Sequence, residues 1–229
     1  MRRNLLLLTA SLTLLVPMSA SAFVTPFGVR VTESINRGLD FIRGLQDGNG
    51  GWGSATGLAV LALLERRASA DWNAQAVGYI NMSDDDKRIV RRGIAYCINN
   101  IGGFDGGQSV SYDTGACLMA MSVYVSTGGP IDIGANRSVA QALSNAIDTL
   151  KTSQGNGGQN QGGWNYTTPE NDGDLSTTQF AMAGLSAAAA IRADADDTLP
   201  RSAAFVTNAK NGDGGHKYRG GGGNRSTHT

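Results

Sequence analysis

The sequence predicts an all-α chain of antiparallel helix hairpins, about three and a half units long. Three observations carry this expectation. One segment recurs four times, at residues 38–46, 93–101, 146–154 and 202–210, with ends 55, 53 and 56 residues apart. A glycine-rich turn follows each copy, at 47–52, 102–107, 155–164 and 211–216. After each of the first three turns comes an apolar segment rich in Ala, Leu and Met, at 55–64, 113–121 and 177–185.

The recurring segments read as amphipathic helices. In the second, Ile89, Val90, Ile94, Cys97 and Ile101 recur at helical spacing. Ser83 and the acids at 84–86 suit its start, where side-chain oxygens and negative charge meet free N–H groups and the positive dipole end. The segments after the turns are apolar nearly all round, which is the signature of a buried helix. Strand is the competing assignment for short apolar runs, but Ala and Leu favour helix and β-branched residues are sparse. Each unit is thus an outer helix, a glycine turn and a buried inner helix running back. Whether such units close into a ring or stack as an open array is left undecided by the period alone.

Composition narrows the function classes. The chain has 229 residues with 19 basic and 19 acidic side chains, so nothing points to nucleic acid or an anionic membrane surface. Its 32 glycines are clustered rather than placed at every third residue, which excludes collagen. Residues 1–22 read as a signal peptide: Arg2 and Arg3, an apolar run at 5–16, then Ala20, Ser21 and Ala22 as a small-residue cleavage site. That run is too short for a comfortable membrane span, so a secreted or periplasmic protein with no span after cleavage is expected. The repeat domain occupies 23–218, and the Gly-rich segment 219–229 reads as a disordered tail.

Gln46, Gly51 and Trp52, and again Gln154, Gly163 and Trp164, form a pattern around the turns that resembles the QW repeat of squalene and oxidosqualene cyclases. Gly38, Phe41, Gln46, Gly51 and Trp52 carry it most fully; Ala146, Gln154, Gly163 and Trp164 repeat it with a longer turn. Ser202, Phe205, Gly215 and His216 form a degraded copy, with His216 in the place of Trp52. The segment 174–179 also resembles inner-helix starts of prenyltransferase-repeat proteins. The likeness covers roughly residues 30–218 and implies an α/α-toroid, here a partial ring, because such rings close with more helix pairs than this chain carries. Physically the motif is structural: glycine permits positive φ in a tight link, indole covers a neighbouring helix, and glutamine bonds open backbone groups.

Four sets of residues invite chemistry. Asp194, Asp196 and Asp197 match the Asp-x-Asp-Asp-Thr acid that the resemblance implies for squalene–hopene cyclases. Clustered carboxylates can keep one member protonated, but this cluster falls after the third inner helix beside Pro200 and reads as a helix-start linker. Asp113 and Cys117, four apart on one helix face with His216 elsewhere, invite zinc as in prenyltransferases; the family spacing is absent and ligands are too few, so no metal is assigned. Asp47, Asn49, Asn211 and Asp213 superficially resemble calcium loops, yet Leu58 stands where an EF-hand needs Glu. Cys97 and Cys117 lie at equal depth either side of the second turn, so a disulfide and two buried free thiols are both open. No phosphate loop or nucleophile elbow occurs, and no cofactor is expected. The function expected is an exported, non-catalytic module that binds an isoprenoid or other hydrophobic ligand, or a protein partner completing the ring. The alternative is a squalene-type terpene cyclase or a fragment of one.

Overall fold

The computed structural model describes residues 25–69, 71, 73–100, 110–157, 161–166 and 173–218. The expected signal peptide, the second glycine turn and the Gly-rich tail therefore lie outside the described residues. Among these, seven helices form and no strand: α1 (Pro26–Gly44), α2 (Thr56–Leu64), α3 (Asp84–Asn100), α4 (Val110–Ser126), α5 (Val139–Ser153), α6 (Leu175–Ala189) and α7 (Leu199–Asn208). The protein is all-α, as its periodicity requires. No described helix is long and apolar enough to cross a membrane.

Helix starts follow local chemistry. Thr25 caps α1 through its hydroxyl, and Ser138 with Gln141 makes a reciprocal capping box on α5. Asp174 caps α6 by accepting from Thr177 N at 2.8 Å, so the segment singled out at 174–179 does begin an inner helix. Pro at the start of α1 and α7 exploits a position whose N–H has no helical partner.

The even helices are the buried ones. On α4, Leu118, Ala120, Met121 and Tyr124 are fully enclosed, and α2 and α6 pack against it to make a row with α4 in the middle. Glycine sets the closeness of that row. A Cβ on Gly57 would lie 2.4 Å from the Ala116 backbone, and one on Gly115 would lie 2.4 Å from the Phe180 carbonyl oxygen. The same register thus recurs between α2 and α4 and between α4 and α6. The odd helices pack on the outside of this row: α1, α3 and α5 each touch the inner helix that follows, and α3, α5 and α7 the inner helix before. Among the described residues no extensive contact joins α2 to α6 or α1 to α7.

Candidate functional site

The repeat motif builds one joint twice. In the first unit, Asp47 N donates to Gly51 O and Gly50 N to Asp47 O, closing a turn in which Gly50 has φ +91°. In the third, Gly155 N donates to Gly163 O and Gly162 N to Gly155 O, with Gly162 at φ +98°. Each turn rests on the next outer helix: a Cβ on Gly50 would strike Arg92 O and one on Gly162 would strike Arg201 O. The following glycine lies on an aromatic ring, Gly51 on Tyr96 and Gly163 on Phe205. Positive φ and the lack of room both demand glycine here.

Gln46 and Gln154 pin these joints. Gln46 Nε2 donates to Gly50 O and Ile89 O, at 2.8 and 2.9 Å. Gln154 Nε2 donates to Gly162 O, Thr198 O and Ser202 Oγ, and is buried. Both therefore reach across to the following outer helix as well as their own turn, which the expected helix-end role did not include. The indoles turn back instead: Trp52 Nε1 donates to Ile42 O and Trp164 Nε1 to Leu150 O, each the preceding outer helix of its own unit. Trp52 still covers the next helix, where a Cβ on Gly93 would approach it to 3.0 Å. His216 follows the last described turn, bridged to Lys210 and half-buried.

Among the described residues no helix pair precedes the first unit, and its end face is open and apolar. Phe41 is 66 % exposed, Leu45 52 % and Leu58 45 %. Between α1 and α2 runs a groove of about 490 Å³ lined by Ile42, Leu45, Trp52, Ala55 and Leu58, with Asp47 at its edge. Leu58 corresponds to Ala116 on α4 and Phe180 on α6, the positions covered by the glycine of the preceding inner helix. In α2 no glycine of a described helix supplies that cover. An inner helix apolar all round was legible in the sequence; that its Leu58 side would be uncovered was not.

The residues singled out for chemistry are scattered. Asp194 and Asp197 both accept from Lys151 Nζ, at 3.2 and 2.8 Å, and Arg192 grips Asp194 at 2.6 Å and Asp148 at 2.8 Å. Hydrogen bonds from Arg192 and then Lys151 hold the Asp194 carboxyl well below its ordinary range. It stays ionised, and Asp196 beside it is exposed. A proton-donating role for Asp194 is therefore at odds with its surroundings, because a donor needs a carboxyl that keeps its proton. The cluster's place is that of a clamp between α5 and the linker that leads into α7. Arg43, three residues before Gln46 as Lys151 is before Gln154, makes the equivalent link to buried Asp86 at 2.7 Å.

Asp113 stands apart. It sits in the first turn of α4, 3 % exposed, with Oδ2 lacking a partner among the described residues, and burial pushes it up to about 6. Cys97 and Cys117 are free, buried thiols close enough to influence one another. That proximity, then burial, raises the Cys117 thiol. No group of three or more His, Cys, Asp or Glu suited to a metal occurs among the described residues. Near α4 and α6 the rings of Tyr112, Tyr166 and Phe180 pack together, and Tyr218 bonds Tyr166 and Ser176.

No protein-family model matches the chain, and no curated protein or solved structure does either.

Proposed function

We infer that this protein is a non-catalytic binding module, a partial α/α-toroid whose open first unit takes up a helix of a protein partner. The observation that carries this is Leu58: its equivalents on α4 and α6 lie under a neighbouring helix, while Leu58 lies half exposed in an apolar groove. The groove is thus shaped for a helix that presents a small residue, as Gly57 and Gly115 do internally. Exposed apolar surface concentrated on one face marks an interaction site. The cyclase alternative rests on the 194–198 segment, where Asp194 and Asp197 are tied to Lys151 and Arg192 as a structural clamp would be. Export, expected from residues 1–22, fits a binding role and removes the chain from cytosolic prenyl diphosphates.

The experiment is to titrate the protein with a synthetic peptide of the α4 sequence, which carries Gly115, and to follow the change in tryptophan emission, to which Trp52 in the groove contributes. Saturable binding, weakened by Leu58→Glu, is expected. Farnesol titrated in parallel distinguishes a hydrophobic-ligand module, which would bind it in preference to the peptide. Squalene or prenyl diphosphates converted to cyclic or transferred products, detected by mass spectrometry, would restore the enzyme reading.

A further inference from the structure

The end of the row opposite the groove carries the other half of the repeated joint. The last described turn copies the first: Asn211 N donates to Gly215 O, Gly214 N to Asn211 O, and Gly215 N to Asp213 Oδ1 as Gly51 N does to Asn49 Oδ1. Gly214 has φ +90°, matching Gly50 and Gly162. Yet a Cβ built on Gly214 meets no described atom within 4 Å, whereas Gly50 and Gly162 are pressed against an arginine carbonyl. This turn has the shape of the joint and no helix against it among the described residues.

The matching helix surface is on α1. The internal joints use an arginine and, four residues on, an aromatic ring: Arg92 with Tyr96, and Arg201 with Phe205. Arg92 adds bonds to the turn itself, donating to Asp47 O and Gly48 O at 2.9 and 3.0 Å. On α1 the same spacing gives Arg37 and Phe41, both exposed, with Gly38 between them open where Gly93 is covered by Val60 and Trp52. The third outer helix, α5, has Asn145 and Thr149 in these places, so the pair is not a feature of every outer helix.

We propose that the protein assembles head to tail, the Asn211–Gly215 turn of one copy docking on Arg37 and Phe41 of the next. This rests on the end-face reading above and names its occupant as a second copy of this chain. The interface is continuous with one the molecule already builds twice, and its two halves lie at opposite ends of the row. A single copy in this conformation cannot join them, while two copies can. On α6 the exposed Gln179 stands where α2 and α4 have glycine, so α6 approaches Leu58 less closely than the internal joints allow. The turn on Phe41 is then the main contact. Because the two surfaces differ, the contact is heterologous, giving a closed ring or an open chain of copies.

Sedimentation velocity of the full-length protein across a range of concentration tests this, together with two variants. Phe41→Glu places a charge on the exposed ring position, and loss of an aromatic anchor should weaken association about thirtyfold. Gly214→Asn keeps a residue tolerant of positive φ and has room in the free chain, but docking would drive its side chain into the Arg37 carbonyl. Each variant alone should be monomeric with unchanged circular dichroism. Mixed, they should form a one-to-one dimer and nothing larger, since each retains one intact half. A wild type that stays monomeric, variants that associate as the wild type does, or a mixture that fails to pair would each overturn the proposal. A monomeric wild type that still binds the α4 peptide would leave the groove reading standing and remove only the second copy as occupant.

Discussion

Gln154 is the most demanding test of the joint. Its amide nitrogen donates to three acceptors on two elements in a site only 3 % exposed. Gln154→Leu keeps similar volume and removes the donor. Thr198 O retains a bond from Arg201 N, so the main orphan is Gly162 O, a carbonyl enclosed beside the lost amide. An orphaned buried acceptor costs about 1–3 kcal/mol, and two lost bonds with surviving alternatives add about 1 kcal/mol, for an expected loss of about 2–4 kcal/mol. Gln46→Leu is the internal control. Gln46 makes two such bonds from a half-buried position, where water can reach the freed carbonyls, so about 1 kcal/mol is expected. Urea unfolding of both variants should show midpoints reduced at unchanged slope, with Gln154→Leu clearly the lower. Equal losses within about 0.5 kcal/mol, the ordinary range of surface changes, would refute the view that burial of the third joint makes its glutamine the stronger pin.

Two other outcomes follow from enclosed groups. Asp113 is raised to about 6 by burial, above its unfolded value, so the native state favours the protonated form and loses stability as pH rises through that interval. Asp113→Asn should match the wild type near pH 4 and exceed it at pH 8 by on the order of 2–3 kcal/mol, read by urea titration at both values. Cys97 and Cys117 should resist thiol reagent in the native protein, being buried, and yield two thiols per chain after denaturation. Fewer than two would show that the neighbouring pair has oxidised to a bridge.

What the sequence conveyed well was local. Glycine after each amphipathic segment, with Gln and Trp at fixed places in the first and third units, marked the turns, because tight turns impose chemistry on the residues that make them. The alternation of amphipathic and uniformly apolar segments distinguished outer from inner helices for the same reason. What it did not convey depends on partners distant in sequence. That Gln46 reaches Ile89, or that Gly162 lies against Arg201, is a property of how units stack. The acids at 194–197 show the difference most clearly. Read alone they match a catalytic motif, but the cations that define them are Lys151, on another helix, and Arg192, two residues before Asp194. Asp113 shows the reverse. Its place on the helix was readable, whereas the enclosure that raises its carboxyl depends on neighbours that spacing does not name.

The glycine contacts between inner helices also shape how the molecule comes apart. Each helix of the row is held by its neighbours, with no extensive contact between the two ends among the described residues, so the buried cluster running from Leu39 to Ala195 is built from contacts between adjacent units. Opening then begins where a helix has one neighbour fewer. Helix α1, with few contacts beyond α2, frays first, while α4, wedged between two inner helices, exchanges its amide protons last. Any partner that covers the first unit would raise the protection of α1 most and leave the middle of the row nearly unchanged, a gradient that reports where binding occurs without requiring the partner to be known.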